Sequence, residues 1–170
     1  MGIPGPCSPA IQSAFLAALR SSFPSPNQPV AFRHIIYNLQ QHYNPSIGVY
    51  TAPVNGTYAF SFHMTTSTCT LKVGLFWNFQ PVVKNTQSSE LGSASQQVVL
   101  HLSIGDQVWL QVKDSITNGM FTNAEVSSTF SGFLLHPDTC DIIMGQEFPP
   151  PIISGVYTWR DPDPTLIPCV

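Results

Sequence analysis

Between Thr57 and Met64 the chain alternates without a break: Tyr58, Phe60, Phe62 and Met64 fall on one side, and Thr57, Ala59, Ser61 and His63 on the other. A two-residue period belongs to a half-buried extended strand, because successive side chains leave a pleated backbone on opposite faces. The same texture returns in Leu71–Trp77, Gln97–Leu102, Gln107–Val112 and Thr129–Leu135. These runs are short, rich in β-branched and aromatic residues, and separated by turn formers such as Asn55-Gly56, Ile104-Gly105-Asp106 and Asn118-Gly119. No helical crossover is read between them, so the expected class is all-β, an antiparallel sandwich or jelly roll. Any helix begun at Ala14-Phe15-Leu16-Ala17-Ala18-Leu19 is stopped by Pro24, Pro26 and Pro29, which lead into extended chain.

Composition narrows the function classes. Of 170 residues, 43% are hydrophobic and only 9% charged, which excludes intrinsic disorder. Six basic against nine acidic side chains leave a net charge of −3, too little positive field to hold DNA or RNA by counterion release. No apolar run approaches the length of a membrane span, and the stretch from Pro9 to Leu19 lacks the basic leader of a secretory signal; an extracellular home would imply a signal peptide removed or left out, with Met1 either native or a fragment boundary. The acids gather at the end: residues 138–170 hold five of them and one Arg. The nearly neutral remainder favours association over repulsion. Val99 and Trp109 point the same way, since they make strands already apolar on one face apolar on both, and such strands need a cover from another sheet or a neighbouring subunit.

Cys7, Cys69, Cys140 and Cys169 form no close cluster with histidine; only His136 and Cys140 are near one another, so no zinc site is expected. Pairing of Cys140 with Cys169 would staple a proline-broken tail, whose Ile152–Trp159 stretch is expected either to add an edge strand or to dock Trp159 on the body. Asn55-Gly56-Thr57 is a glycosylation sequon, and with the cysteines it points outside the cell. Gly2-Ile3-Pro4-Gly5-Pro6-Cys7 reads as two Gly-X-Y triplets, the repeat whose glycine fits the axis of a collagen triple helix.

Phe32, Asn38, Tyr43, Gly56, Tyr58, Phe60 and Phe62 resemble the signature of the globular head domain of the complement C1q family; Tyr50 departs from it, standing where the pattern has phenylalanine. Gly105–Val112, Asn118-Gly119 and Ser128–Leu135 look like the family's last strands in order, so the resemblance spans about residues 14–137. It implies a ten-stranded C1q/TNF-like jelly roll that forms trimers after a collagen stalk. Residues 1–7 then read as the stalk's end, 8–28 as neck or linker, 29–137 as the globular domain and 138–170 as an acidic tail. Under the same resemblance Cys7 becomes an interchain disulfide candidate, and Tyr58, Phe60, Phe62, Trp109, Phe130 and Phe133 become core or trimer-interface aromatics. Some relatives bind calcium through two acids, but Lys84 and Gly92 stand at those places, which leaves Glu90 and nearby carbonyls as the only donors. Asp114, Asn123 and Glu125 read as ordinary loop residues.

The function implied is a secreted, non-enzymatic recognition or signalling subunit. It would assemble with itself or related chains and bind an extracellular protein or glycan through the exposed loops Lys84–Ser95 and Lys113–Glu125. The alternative is a structural collagen-type protein whose head drives trimerisation and network assembly. No His-Glu-x-x-His, Gly-x-Ser-x-Gly or phosphate-binding glycine loop is present, and no catalytic residue, metal or cofactor is expected.

Overall fold

The computed structural model describes residues 11–88, 90–138, 155–157 and 159. Among these described residues there are ten strands: β1 (Ala14–Ala18), β2 (His34–Tyr37), β3 (Tyr43–Asn44), β4 (Val49–Thr51), β5 (Gly56–Trp77), β6 (Gln80–Gln87), β7 (Gly92–Leu102), β8 (Gln107–Val112), β9 (Asn118–Phe121) and β10 (Thr129–Pro137). All their pairings are antiparallel. The hinge of the architecture is β5, read in the sequence as two runs but forming a single strand of 22 residues. Its residues 56–66 pair with β10 and β7, while residues 71–77 pair with β6 and β8. Through β5, one hydrogen-bonded network of ten strands becomes two layers, β2-β1-β10-β5-β7 and β3-β4-β8-β5-β6, with β9 paired where β5 crosses between them.

Strand β1 corrects the sequence reading. Alanine and leucine favour helix locally, yet Ala14–Ala18 pairs with both β10 and β2, and Phe15 and Ala17 are buried. Tertiary pairing overrides intrinsic propensity, which is worth less than about 1 kcal/mol per residue. The strand lies inside the domain, within the stretch expected to be a linker.

The alternation of Thr57–Met64 is realised in packing. Tyr58, Phe60, Phe62 and Met64 are buried between the layers with Phe15, Phe130, Leu75, Val108 and Leu110. Residues of the sequence signature explain one another here. The Asn38 amide donates to the Tyr43 carbonyl at 2.7 Å, and the Tyr43 hydroxyl receives the Phe32 N–H at 2.9 Å and donates to the Phe32 carbonyl at 3.1 Å. A buried ring is thus held at its tip as well as its base. Burial pushes the hydroxyls of Tyr43 and Tyr50 well above their ordinary range and that of Tyr58 up to about 12, so all three stay neutral donors at physiological pH.

Tyr50 carries a hydroxyl where the family pattern has none, and the buried Ser13 hydroxyl meets it. The same oxygen of Ser13 lies 2.7 Å from His42 Nδ1, and burial lowers the His42 pKa. Ser13→Ala should therefore destabilise the domain by about 1–3 kcal/mol, the cost of a buried polar group left unpaired. Adding Tyr50→Phe should recover most of that loss, because the buried Tyr50 hydroxyl is then gone as well and only His42, half-buried and within reach of water, has lost its Ser13 partner; urea unfolding of the single and double variants measures the coupling.

Candidate functional site

Each layer has an outward face, and the two differ. On the first sheet, Ala14 on β1, Phe133 on β10, Ala59 on β5 and Val99 on β7 form one cross-strand row. Phe133 is 44% exposed and Val99 58%, although Ala59 between them is buried. In the next row Leu16 on β1 is followed by Ser131 and Ser61, whose hydroxyl oxygens stand 2.9 Å apart, and by Gln97 on β7. Beyond it, His63 Nδ1 stands 3.0 Å from the Ser95 hydroxyl. At the other end, Leu135 is the extra residue of a bulge in β10 and is exposed, and His101 lies 2.8 Å from the Asp138 carboxylate. Strand β2 adds exposed Ile35, Ile36 and Tyr37 at the sheet edge. These residues were absent from the sequence-derived set, although three consecutive apolar side chains on one short strand were the available signal. The result is a contiguous face whose apolar row of Phe133 and Val99 lies between the His101–Asp138 pair at one end and a hydroxyl- and histidine-bearing stretch at the other.

The second sheet faces outward with Phe76 and Trp109, register neighbours on β5 and β8. Trp109 is only 1% exposed, since Trp159 and Tyr157 of the same chain pack against this cluster. Its expected cover, another sheet or a neighbouring subunit, is thus corrected: a segment of its own chain closes this face. Docking of Trp159 on the body is the outcome seen at the described tail residues.

Among the other sequence-derived residues, Tyr58, Phe60, Phe62 and Phe130 are fully buried within the chain, and Phe133 is the member that points out. Asn55 uses its amide carbonyl oxygen to accept the Ile104 N–H at 2.7 Å, not the nitrogen a glycan would occupy. Cys69 is partly buried and forms no disulfide among the described residues; Cys7, Cys140 and Cys169 lie outside them.

The two expected contact loops need correction. Residues 84–87 and 92–95 are strand, so the first loop shrinks to the turn between β6 and β7. In the second, Lys113, Thr117 and Asn118 are buried and β9 occupies Asn118–Phe121. Asp114 Oδ1 accepts the Thr117 N–H and hydroxyl at 2.7 Å, and Asn123 Oδ1 accepts the N–H groups of Glu125 and Val126 at 2.8 Å. Both side chains brace turns. The Glu90 carbonyl receives the Thr66 hydroxyl at 3.0 Å, Lys84 Nζ lies over the Trp159 ring, and Gly92 opens β7. Among the described residues no three His, Cys, Asp or Glu side chains converge as a metal site would require.

The jelly-roll pairing and the signature residues at its core agree with a direct family match: the C1q domain matches residues 14–135. The chain belongs to the C1q-domain family. The matched C1q domain includes β1, in keeping with its place in the sheet. Over 128 residues the chain is 37% identical to the collagen alpha-1(X) chain of Mus musculus; the match takes in 74% of this chain and 19% of that relative, so the chain spans about a fifth of its length. The globular domain of zebrafish complement 1qA superposes with a TM-score of 0.64 at 24% identity, covering 74% of this chain and 99% of that one. Murine APRIL superposes at 0.56 and 12% identity, covering 74% of this chain and 100% of that one. These two likenesses concern the fold alone. No helix among the described residues is long and apolar enough to cross a membrane.

Proposed function

We propose that this C1q-domain chain is a secreted, non-enzymatic recognition or signalling subunit that works as a trimer, alone or with related chains. The carrying observation is the first sheet's outward face, where Phe133 and Val99 stand exposed in register on either side of Ala59. Small residues at Ala14 and Ala59 leave room for a neighbour's rings, and the hydroxyl row of Ser61 and Ser131 supplies polar pairing without buried charge. A three-fold arrangement presents each remaining surface three times, so modest single-site affinities for a repeated extracellular protein or glycan multiply. Cys7 as an interchain bridge, a Cys140–Cys169 staple and a glycan on Asn55 belong to the same reading.

The 37% identity to a collagen chain and the triplets at Gly2 and Gly5 favour a second reading, in which the head nucleates trimerisation of a collagen-type network. Both readings require assembly. Sedimentation equilibrium under reducing conditions should give three times the 18.6 kDa chain mass, or a multiple of it. A monodisperse 18.6 kDa species at micromolar concentration would sink both.

A further inference from the structure

The covered face of the second sheet has the form of a binding groove. Phe76 and Trp109 stack with ring centres 6.1 Å apart and planes within 6°, and Phe79 from the β5–β6 turn meets Trp109 edge-on at 5.0 Å. Between β5 and the tail the floor is Gly74, where a Cβ would stand 2.8 Å from the Trp159 ring. Two rings fill this space. Tyr157 packs 4.8 Å from Phe79 and 5.8 Å from Trp109, while Trp159 lies 6.1 Å from Phe76, 5.6 Å beneath Lys84 Nζ, and is 7% exposed. Gly155 comes so close to Phe79 that a Cβ would reach within 2.7 Å of its ring. Tyr157 and Trp159 are two residues apart in sequence, the spacing at which a peptide bound in extended form projects both side chains to the same side. Tyr157 also walls an adjoining open groove of about 590 Å³, lined by Arg20, Arg33, Gln28 and Ser46, so the pocket continues beyond its occupant.

We propose that this groove is a peptide-binding site selective for two aromatic side chains one residue apart, and that residues 155–157 and 159 are its tethered occupant, excluding outside peptides of the same pattern. Sixteen residues separate Asp138 from Gly155, a tether that holds the segment at an effective concentration on the order of millimolar. A weakly binding segment therefore keeps the site filled, and a free peptide must outcompete it. The inference does not depend on trimer assembly.

The test uses the full chain and a fluorescein-labelled peptide, Gly-Val-Tyr-Thr-Trp-Arg-Asp-Pro-Asp, followed by anisotropy. Trp159→Ala should bind it at least tenfold more tightly than the unaltered chain, and Tyr157→Ala, which removes the other anchor, should open the groove in the same sense. Adding Gly74→Val to Trp159→Ala, or replacing the peptide's Trp by Ala, should abolish the gain. Thermal melting of each variant checks that the sheets are retained. Equal affinity of the opened and unaltered chains, or binding indifferent to Gly74→Val or to the peptide's Trp, would overturn the proposal.

Discussion

Phe133→Asp should convert the assembly to monomers. Its ring takes no part in either core cluster, so the substitution spares the sandwich and loads its effect on the contact between copies. In register with Ala14 and Ala59, and one strand further with Val99, it is the largest outward side chain of the row. In the proposed trimer a three-fold axis would place three copies of the new carboxylate in the contact, each losing water without a basic partner among the row's residues. Burying one such charge unpaired costs several kcal/mol, and the cost recurs in each protomer. The dissociation constant should rise by at least a thousandfold. Sedimentation of the variant at ten micromolar should show the 18.6 kDa species, while Leu91→Asp, in the turn between β6 and β7 and 78% exposed, should leave the mass unchanged. A Phe133→Asp protein that sediments like the unaltered chain would move the contact to another face.

Asp106→Ala should produce the largest loss of stability among polar substitutions. This carboxylate, nearly buried, accepts Trp77 Nε1 at 3.0 Å and the Ser103 N–H at 2.9 Å on one oxygen, and the Asn78 amide at 2.9 Å on the other. Asn78 in turn accepts the Gln107 N–H at 2.8 Å, and the Ala52 N–H bonds the Asp106 carbonyl at 2.8 Å. One side chain therefore joins the end of β5, the β5–β6 turn and the turn into β8. Hydrogen bonds to a charged group contribute about 1.5–3 kcal/mol each, and part of that returns where water reaches the Trp77 ring. The net expectation is about 3 kcal/mol, a fall in Tm on the order of 10 °C, compared at equal protein concentration because assembly shifts apparent stability. Asp106→Asn keeps the shape and one acceptor, so it should lose roughly half as much. A loss below about 1 kcal/mol for the alanine variant would show that the three donors find other partners.

Much of this architecture was legible because its signal is local. A strand's side chains alternate wherever the strand is later placed, so Tyr58, Phe60, Phe62 and Met64 could be assigned to the core from spacing alone, and β8 was read with the bounds it has. The shorter elements were not. Strands β3 and β4 have only two and three residues, too few to show a period, and β6 carries no apolar alternation strong enough to separate it from a loop. Asn118-Gly119, read as a turn, begins β9, because its partner on β5 is set by the crossing between layers.

What the sequence determined by itself was the inward half of the molecule: the two-residue period and the turn residues dictate which rings enter the space between layers. Whether an outward side chain is exposed depends on groups distant in the chain, and local spacing carries no information about them. Val99 and Trp109 look alike in sequence, each the apolar residue on the wrong side of its strand. Only the tertiary structure leaves Val99 exposed and brings Trp159, fifty residues further along the chain than Trp109, to close over the other. The same reason made a strand of Ala14–Ala18: propensity is a property of the segment, but its hydrogen-bond partners on β10 lie more than a hundred residues away.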